Sequence, residues 1–234
     1  MESIDKIHGT FERRMAEAQK ATVSKAVIKR LPRYHRYLSD LLKDGIMRIS
    51  SAELSRIMNV TASQIRQDLN CFGGFGQQGY GYNVKYLHSK ISELLGVNEG
   101  FRAVIVGAGN LGRALAATHM FERRGIERVA MFDVSDDVVG TEICGLPVYH
   151  VSELSDFCKR ENVMIGVLTV PKEAAEEVTA AMARGGVRGI WNFANMELET
   201  PSENVIVENI HLGDSLMKLS YEIKMQGGKD EDND

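Results

Sequence analysis

Three glycines at a fixed spacing carry the most specific chemistry in the chain. Val104-Ile105-Val106 is a short apolar run of strand type, followed at once by Gly107-Ala108-Gly109-Asn110-Leu111-Gly112 and then by the helix-forming Ala114, Leu115, Ala116 and Ala117. In a turn of this kind the first glycine allows the sharp reversal, the second lets the backbone approach a pyrophosphate, and the third lets helix and strand pack closely. The helix N-terminus then turns unpaired N–H groups and the positive end of its dipole toward the phosphates. A second apolar run, Val129-Ala130-Met131-Phe132, ends at Asp133, 21 residues beyond Gly112. An acid at that distance meets a ribose hydroxyl pair and opposes a 2′-phosphate, so the stretch predicts a site for NADH/NAD+ rather than NADP(H). A plain glycine-rich turn would need neither the acid nor the flanking elements.

A second constellation lies upstream. Ser50-Ser51-Ala52-Glu53 and Thr61-Ala62-Ser63-Gln64 both have the form of a capping box, so two short helices meet at a tight turn over Asn59-Val60. On a wheel of the second helix, Ile65, Leu69 and Phe72 fall on one side, while Ser63, Gln67 and Asn70 fall on the other with Gln64 and Arg66 flanking. The outward set is small, amide-rich and basic. Such a face can enter a major groove, where Gln and Asn pair with adenine edges and Arg with guanine; an ordinary exposed polar helix is the plainer alternative.

Other elements must hold these two groups in place. Val27, Ile28 and Leu31 form a short helical face that Pro32 is expected to interrupt. The next helix, with Tyr34, Tyr37, Leu38, Leu41 and Leu42, stops at Gly45 and presents Arg33 and Arg36. Glycines alternating with aromatics from Gly73 to Val84 predict a hairpin closed around Gln77-Gln78. Three helices and a hairpin, in that order, make a winged helix-turn-helix. Downstream, the glycine turn opens a doubly wound α/β sheet. Leu146-Pro147-Val148-Tyr149 reads as a short edge strand, and Thr169, Pro171, Asn192 and Phe193 lie at strand tips near the second half of the nucleotide. A last helix, from Leu212 to about Lys224, carries Leu212, Leu216, Leu219 and Ile223 in one stripe. It either covers its own sheet or packs into a partner subunit.

Whole-chain properties agree with a divided protein. The 234 residues carry a net charge of −4, which conceals +7 over residues 1–90 and −11 over the remainder. A basic first third predicts that only this part meets a polyanion. The apolar runs are short and no signal-peptide core is present, so a cytoplasmic protein with no membrane partner is expected. Cys71, Cys144 and Cys158 share no metal-binding spacing, and no metal is expected. His119, His150 and His211 are scattered, and no catalytic residue is assigned.

The run Arg30-Leu31-Pro32-Arg33-Tyr34, the segment Thr61-Ala62-Ser63-Gln64-Ile65-Arg66-Gln67-Asp68-Leu69, the wing Phe72-Gly73-Gly74-Phe75-Gly76 and the glycine turn together resemble Rex, the redox-sensing transcriptional repressors of bacteria. The resemblance implies a homodimer that binds an inverted-repeat operator when NADH is scarce and releases it when NADH accumulates. It divides the chain into an arm (1–20), a winged-helix DNA-binding domain (21–98), a Rossmann dinucleotide-binding domain (99–210), a C-terminal helix swapped between subunits (211–226) and an acidic tail (227–234). Arg33, Tyr34, Arg36, Ser63, Gln64, Arg66, Gln67, Asn70 and Gly76 are its implied DNA contacts. Many members carry a Tyr on the first Rossmann helix where this chain has Thr118, and an Asp before the last helix where it has His211. Asp214, one turn on, is a candidate for that acidic switch role. Competing readings are an NAD-dependent oxidoreductase or CoA-binding ligase subunit, and a DNA-binding scaffold with weak discrimination between NADH and NAD+.

Overall fold

The computed structural model describes residues 23–70, 76–77 and 81–227. The N-terminal arm, Cys71, Phe72, most of the wing and the tail beyond Gly227 lie outside the described residues. Contacts divide the chain into two units, one ending at Asn98 and the other beginning at Glu99.

The first unit opens with helix α1 (Lys25–Lys43), which starts on Ser24, whose hydroxyl accepts from the Val27 N–H. Pro32 lies inside α1 and does not end it. Val27, Leu31, Tyr34, Leu38 and Leu41 run along one buried face through that position, while Pro32 itself faces solvent. Burial of the continuous stripe outweighs the one backbone bond that a proline removes. The helix closes where Gly45, at φ +74°, donates to Leu42 and Ile46 donates to Leu41, the paired bonds of a Schellman end.

Strand β1 (Arg48–Ile49) leads to α2 (Ser51–Met58), whose capping box is complete: Ser50 Oγ accepts from the Glu53 N–H, and Glu53 accepts from the Ser50 N–H. Helix α3 (Ala62–Asn70) has only half of one. Thr61 Oγ1 accepts from the Gln64 N–H, but the Gln64 side chain turns instead to Asp68. Strands β2 (Gly76–Gln77) and β3 (Gly81–Asn83) pair antiparallel with Gln77 opposite Gly81, so Gln77 belongs to a strand, while Gln78 lies outside the described residues. β3 also pairs with β1, and helix α4 (Val84–Leu94) follows on the Asn83 cap. The core of the unit joins Leu31, Tyr34 and Leu38 of α1 to Leu54, Met58, Ile65, Leu69, Leu87 and Ile91.

The second unit contains β4 (Phe101–Val106), α5 (Asn110–Ala116), β5 (Ile126–Asp133), β6 (Glu142–Ile143), β7 (Leu146–His150), α6 (Leu154–Arg160), β8 (Ile165–Leu168), α7 (Lys172–Arg184), β9 (Gly189–Asn192), β10 (Ile206–Asn209) and α8 (Leu212–Gly227). Its sheet order is β10-β9-β8-β4-β5-β7-β6, parallel except for β6. The strand order therefore reverses between β4 and β8, where a doubly wound sheet binds its ligand. The run from Leu146 is not the edge: β7 pairs with β5 on one side and with β6 on the other. α6 and α7 pack one apolar layer on the sheet, and Ala116 of α5 joins Phe121, Leu146, Trp191 and Phe193 in the other. Helix α8 does not cover this sheet. Leu212, Leu216, Met217, Leu219, Tyr221 and Ile223 are each more than half exposed in the single chain.

Candidate functional site

The glycine turn leaves the tip of β4 at the strand-order reversal, and each glycine has a distinct geometric reason. At Gly107, φ is +102° and an added Cβ would lie 2.7 Å from the Thr169 carbonyl oxygen at the tip of β8. A Cβ at Gly112 would overlap the Gly107 carbonyl oxygen, so helix and turn touch there. Gly109 is the exception: nothing lies within 4 Å of its Cβ position. The two outer glycines let the protein pack on itself, and the middle one leaves backbone open to a ligand.

That opening belongs to a cavity of about 780 Å³ whose wall includes Gly107, Gly109, Asp133, His150, Thr169 and Pro171. Asp133 Oδ2 accepts from the Ala108 N–H at 2.6 Å, and Oδ1 accepts from the N–H groups of Val134 (2.8 Å) and Ser135 (3.0 Å). The acid thereby ties the end of β5 to the glycine turn and fixes its own carboxylate at the cavity wall. Thr169 Oγ1 shares its one proton between the Val106 and Gly107 carbonyl oxygens, joining the tips of β4 and β8. Asn110 and Leu111 form the first turn of α5, with Asn110 exposed. An open turn, a helix N-terminus and an acid on the neighbouring strand fit a dinucleotide.

Two of the residues expected along this wall are placed elsewhere. Asn192 is fully buried, and its amide donates to the Met196 carbonyl and to Asn209 Oδ1 while its oxygen accepts from the Ala194 N–H. It anchors the segment after β9. Phe193 stacks edge-on against Trp191, ring centroids 4.5 Å apart, within the apolar layer beside α5. His150 and Ser152, unassigned from the sequence, line the cavity instead. Their signal was the register of β7: His150 pairs with Asp133 across the parallel strands.

The switch residues are also differently placed. α5 ends at Ala116, so Thr118 lies beyond the helix, where its hydroxyl donates to the Leu115 carbonyl. His211 precedes α8, with its Nε2 3.0 Å from Glu197 Oε1. Asp214 is exposed in the first turn of α8.

In the first unit, α3 turns Ser63, Arg66, Gln67 and Asn70 to solvent. Arg66 donates to Ser51 Oγ at 3.2 Å, and the Arg36 guanidinium sits 5.4 Å over the Tyr37 ring. Arg33 is half-buried, donates to the Met58 carbonyl, and also lies over Tyr37. Gly76 pairs with Tyr82 in the hairpin. Tyr34 is not on this surface. It is fully buried and donates to Asp68 Oδ2 at 2.9 Å.

In this unit the residue that sequence reasoning missed is Asp68. Fully buried on α3, it takes two bonds from the Arg30 guanidinium at 2.7 Å each, one from Tyr34 and one from the half-buried Gln64 amide at 2.7 Å. Burial pushes its pKa up, but the bonds from Arg30, Gln64 and Tyr34 prevail and hold it below the usual carboxylate range. Burial, with the bond to Asp68, raises the Tyr34 phenol well above its ordinary value. Helix α3 is thus fastened to α1 from behind by one charged node.

Residues 22–70 match the family described as a putative DNA-binding protein N-terminus, and residues 98–196 match the CoA binding domain family. The redox-sensing transcriptional repressor Rex of Caldicellulosiruptor saccharolyticus is 52% identical over 205 residues, 88% of this chain and 93% of that protein. Its counterpart in Clostridioides difficile is also 52% identical, over 86% of this chain and 96% of its own length. Among solved structures, RSP in complex with β-NAD+ and operator DNA superposes with a TM-score of 0.82 at 47% identity, covering 89% of this chain and 96% of that one. RSP in complex with β-NADH gives 0.81 at 44% identity, covering 89% and 98%.

Proposed function

The chain belongs to the Rex family of redox-sensing transcriptional repressors, and from that premise we propose that it holds an inverted-repeat operator as a homodimer and releases it when NADH fills the cavity. The observation that carries the reading is the union, in one polypeptide, of an arginine- and amide-faced helix with a glycine turn left open beside a fixed acid. Gly107, Ala108, Gly109, Asn110, Leu111 and Gly112 would hold the pyrophosphate, Asp133 the ribose, and Thr169 and Pro171 the wall beyond. NAD(H) supplies an oxidation state to be read, with no bond made or broken. Arg33, Arg36, Ser63, Arg66, Gln67, Asn70 and Gly76 would meet the DNA, and the exposed stripe of α8 would pack on the second subunit. The protein acts in the cytoplasm, as a binding protein and not as an enzyme.

Linkage sets the size of the response. If NADH weakens operator binding by some factor, the operator weakens NADH binding by the same factor, typically about 5–150-fold. The test titrates labelled operator at several NADH:NAD+ ratios and fixed salt, with the wild-type chain and with Arg66→Ala. The wild-type affinity falls as NADH replaces NAD+. Arg66→Ala binds operator about 5–150-fold more weakly, the equivalent of about 1–3 kcal/mol, with NADH affinity unchanged. Equal operator affinity with saturating NADH and saturating NAD+ would instead establish a scaffold, a reading to which the engagement of Thr118 with Leu115 and of His211 with Glu197 gives some support. Turnover of NADH with a small carbonyl compound would revive an oxidoreductase.

A further inference from the structure

Asp133 cannot receive both hydroxyls of a ribose on its own. A carboxylate offers about four acceptor positions, and three are already taken by the N–H groups of Ala108, Val134 and Ser135. One hydroxyl can donate to what remains. The second oxygen of the diol needs another partner, and the neighbouring strand places His150 directly across from Asp133.

The bonds that His150 makes define which proton it offers. Nδ1 accepts from the Ser152 backbone N–H at 3.3 Å and lies 2.8 Å from Ser152 Oγ. A ring nitrogen that accepts from an N–H carries no proton, so the neutral ring keeps its proton on Nε2. Both His150 and Ser152 line the cavity.

We propose that His150 is a second specificity residue of this cavity, with its Nε2–H donating to an oxygen of the adenosine ribose while Asp133 accepts from the other hydroxyl. Acceptor and donor on adjacent strands then recognise an intact diol. Asp133 opposes a 2′-phosphate by charge, and His150 adds a donor that an unsubstituted diol can meet. The inference rests on the reading of the cavity as a dinucleotide site.

The test measures NADH and NADPH affinity of the full-length chain by calorimetry for the wild type and for His150→Ala, His150→Gln and His150→Arg. His150→Ala binds NADH about 5–10-fold more weakly, the equivalent of about 1–1.4 kcal/mol. His150→Gln, whose amide N–H stands near the position of Nε2, recovers most of that loss. His150→Arg narrows the gap between NADH and NADPH by about tenfold. With a ribose 2′- or 3′-deoxy analogue of NADH, the difference between wild type and His150→Ala disappears for the hydroxyl that His150 contacts. Wild-type NADH affinity in His150→Ala, or equal losses in the Ala and Gln variants, overturns the role of His150 alone. A wild-type chain that binds neither NADH nor ADP-ribose overturns the dinucleotide reading as well.

Discussion

Each unit of the chain depends on a small group of residues, but the groups differ in kind. Behind the exposed face of α3, a buried carboxylate gathers Arg30, Tyr34 and Gln64, and the helix is positioned by side chains that must all be present. At the tip of β4 the decisive positions carry no side chain, and the turn is shaped by carbonyl oxygens standing where a Cβ would have to go. Replacement therefore acts in opposite senses. In the first unit, loss of an atom strands a charge; in the second, gain of one displaces backbone.

The largest expected effect tests the side-chain half of that contrast. Asp68→Ala leaves the Tyr34 hydroxyl buried without its acceptor and Arg30 without its partner. Breaking a buried pair costs about 3–5 kcal/mol, and the lower end applies because the Arg30 side chain remains 32% exposed and can rehydrate. Denaturant unfolding should show the first unit destabilised by about 3 kcal/mol and operator binding lost, with NADH binding retained. Asp68→Asn keeps an acceptor oxygen and should lose less. A small loss in the Ala variant would mean that the apolar stripe of α1 alone positions α3.

The glycines give the next effect, and they should separate from one another. In Gly112→Ala the new methyl meets the Gly107 carbonyl, which is backbone and cannot swing aside. A stability loss of about 1–3 kcal/mol, with at least tenfold weaker NADH binding, is expected. Gly109→Ala meets no protein atom and its φ of −73° suits alanine, so stability should hold while NADH binding alone weakens. Thermal unfolding with a coenzyme titration on each variant makes the comparison. Equal stability losses at the two positions would remove the distinction between packing and ligand-facing glycines.

The same contrast explains what could be read in advance. The glycine turn, Asp133 and the capping box at Ser50 were legible because each depends on local backbone demands that only certain residues meet. The side-chain node was harder, since nothing local requires Arg30 to meet a residue 38 positions away. A trace of it was nevertheless present: Asp68 falls on the same side of α3 as Ile65 and Leu69, and an acid on an apolar face needs a partner. Tyr34 was misplaced because a tyrosine among arginines resembles a groove contact until its burial is known. Pro32 misled because a local rule met a long buried stripe and lost. Edge strand β6 is two residues long, and its only advance mark was the turn at Cys144 and Gly145, both at positive φ.

The smallest expected effect lies in the first unit, where side chains again set the outcome. His35 of α1 and His88 of α4 stack with centroids 4.5 Å apart, and each Nε2 reaches a serine on the other helix. Ser39 already donates to the His35 carbonyl and Ser92 to the His88 carbonyl, so each hydroxyl can only accept from the opposing ring. Both rings therefore hold a proton on Nε2, and burial lowers the pKa of His88. The unfolded chain, with an imidazole pKa of about 6.5, takes up a proton more readily than the folded one. The contribution of His88 is complete above that value and is lost as the pH falls from it toward the folded pKa. Asp68 shifts in the carboxylate range: its contribution is present above about 3.9 and is lost as pH falls through its lower folded value. Denaturant unfolding of the first unit at pH 7.5 and 5.5 should thus show a modest loss that His88→Gln reduces and Asp68→Asn leaves in place. An unchanged pH slope in His88→Gln would assign the proton to another group.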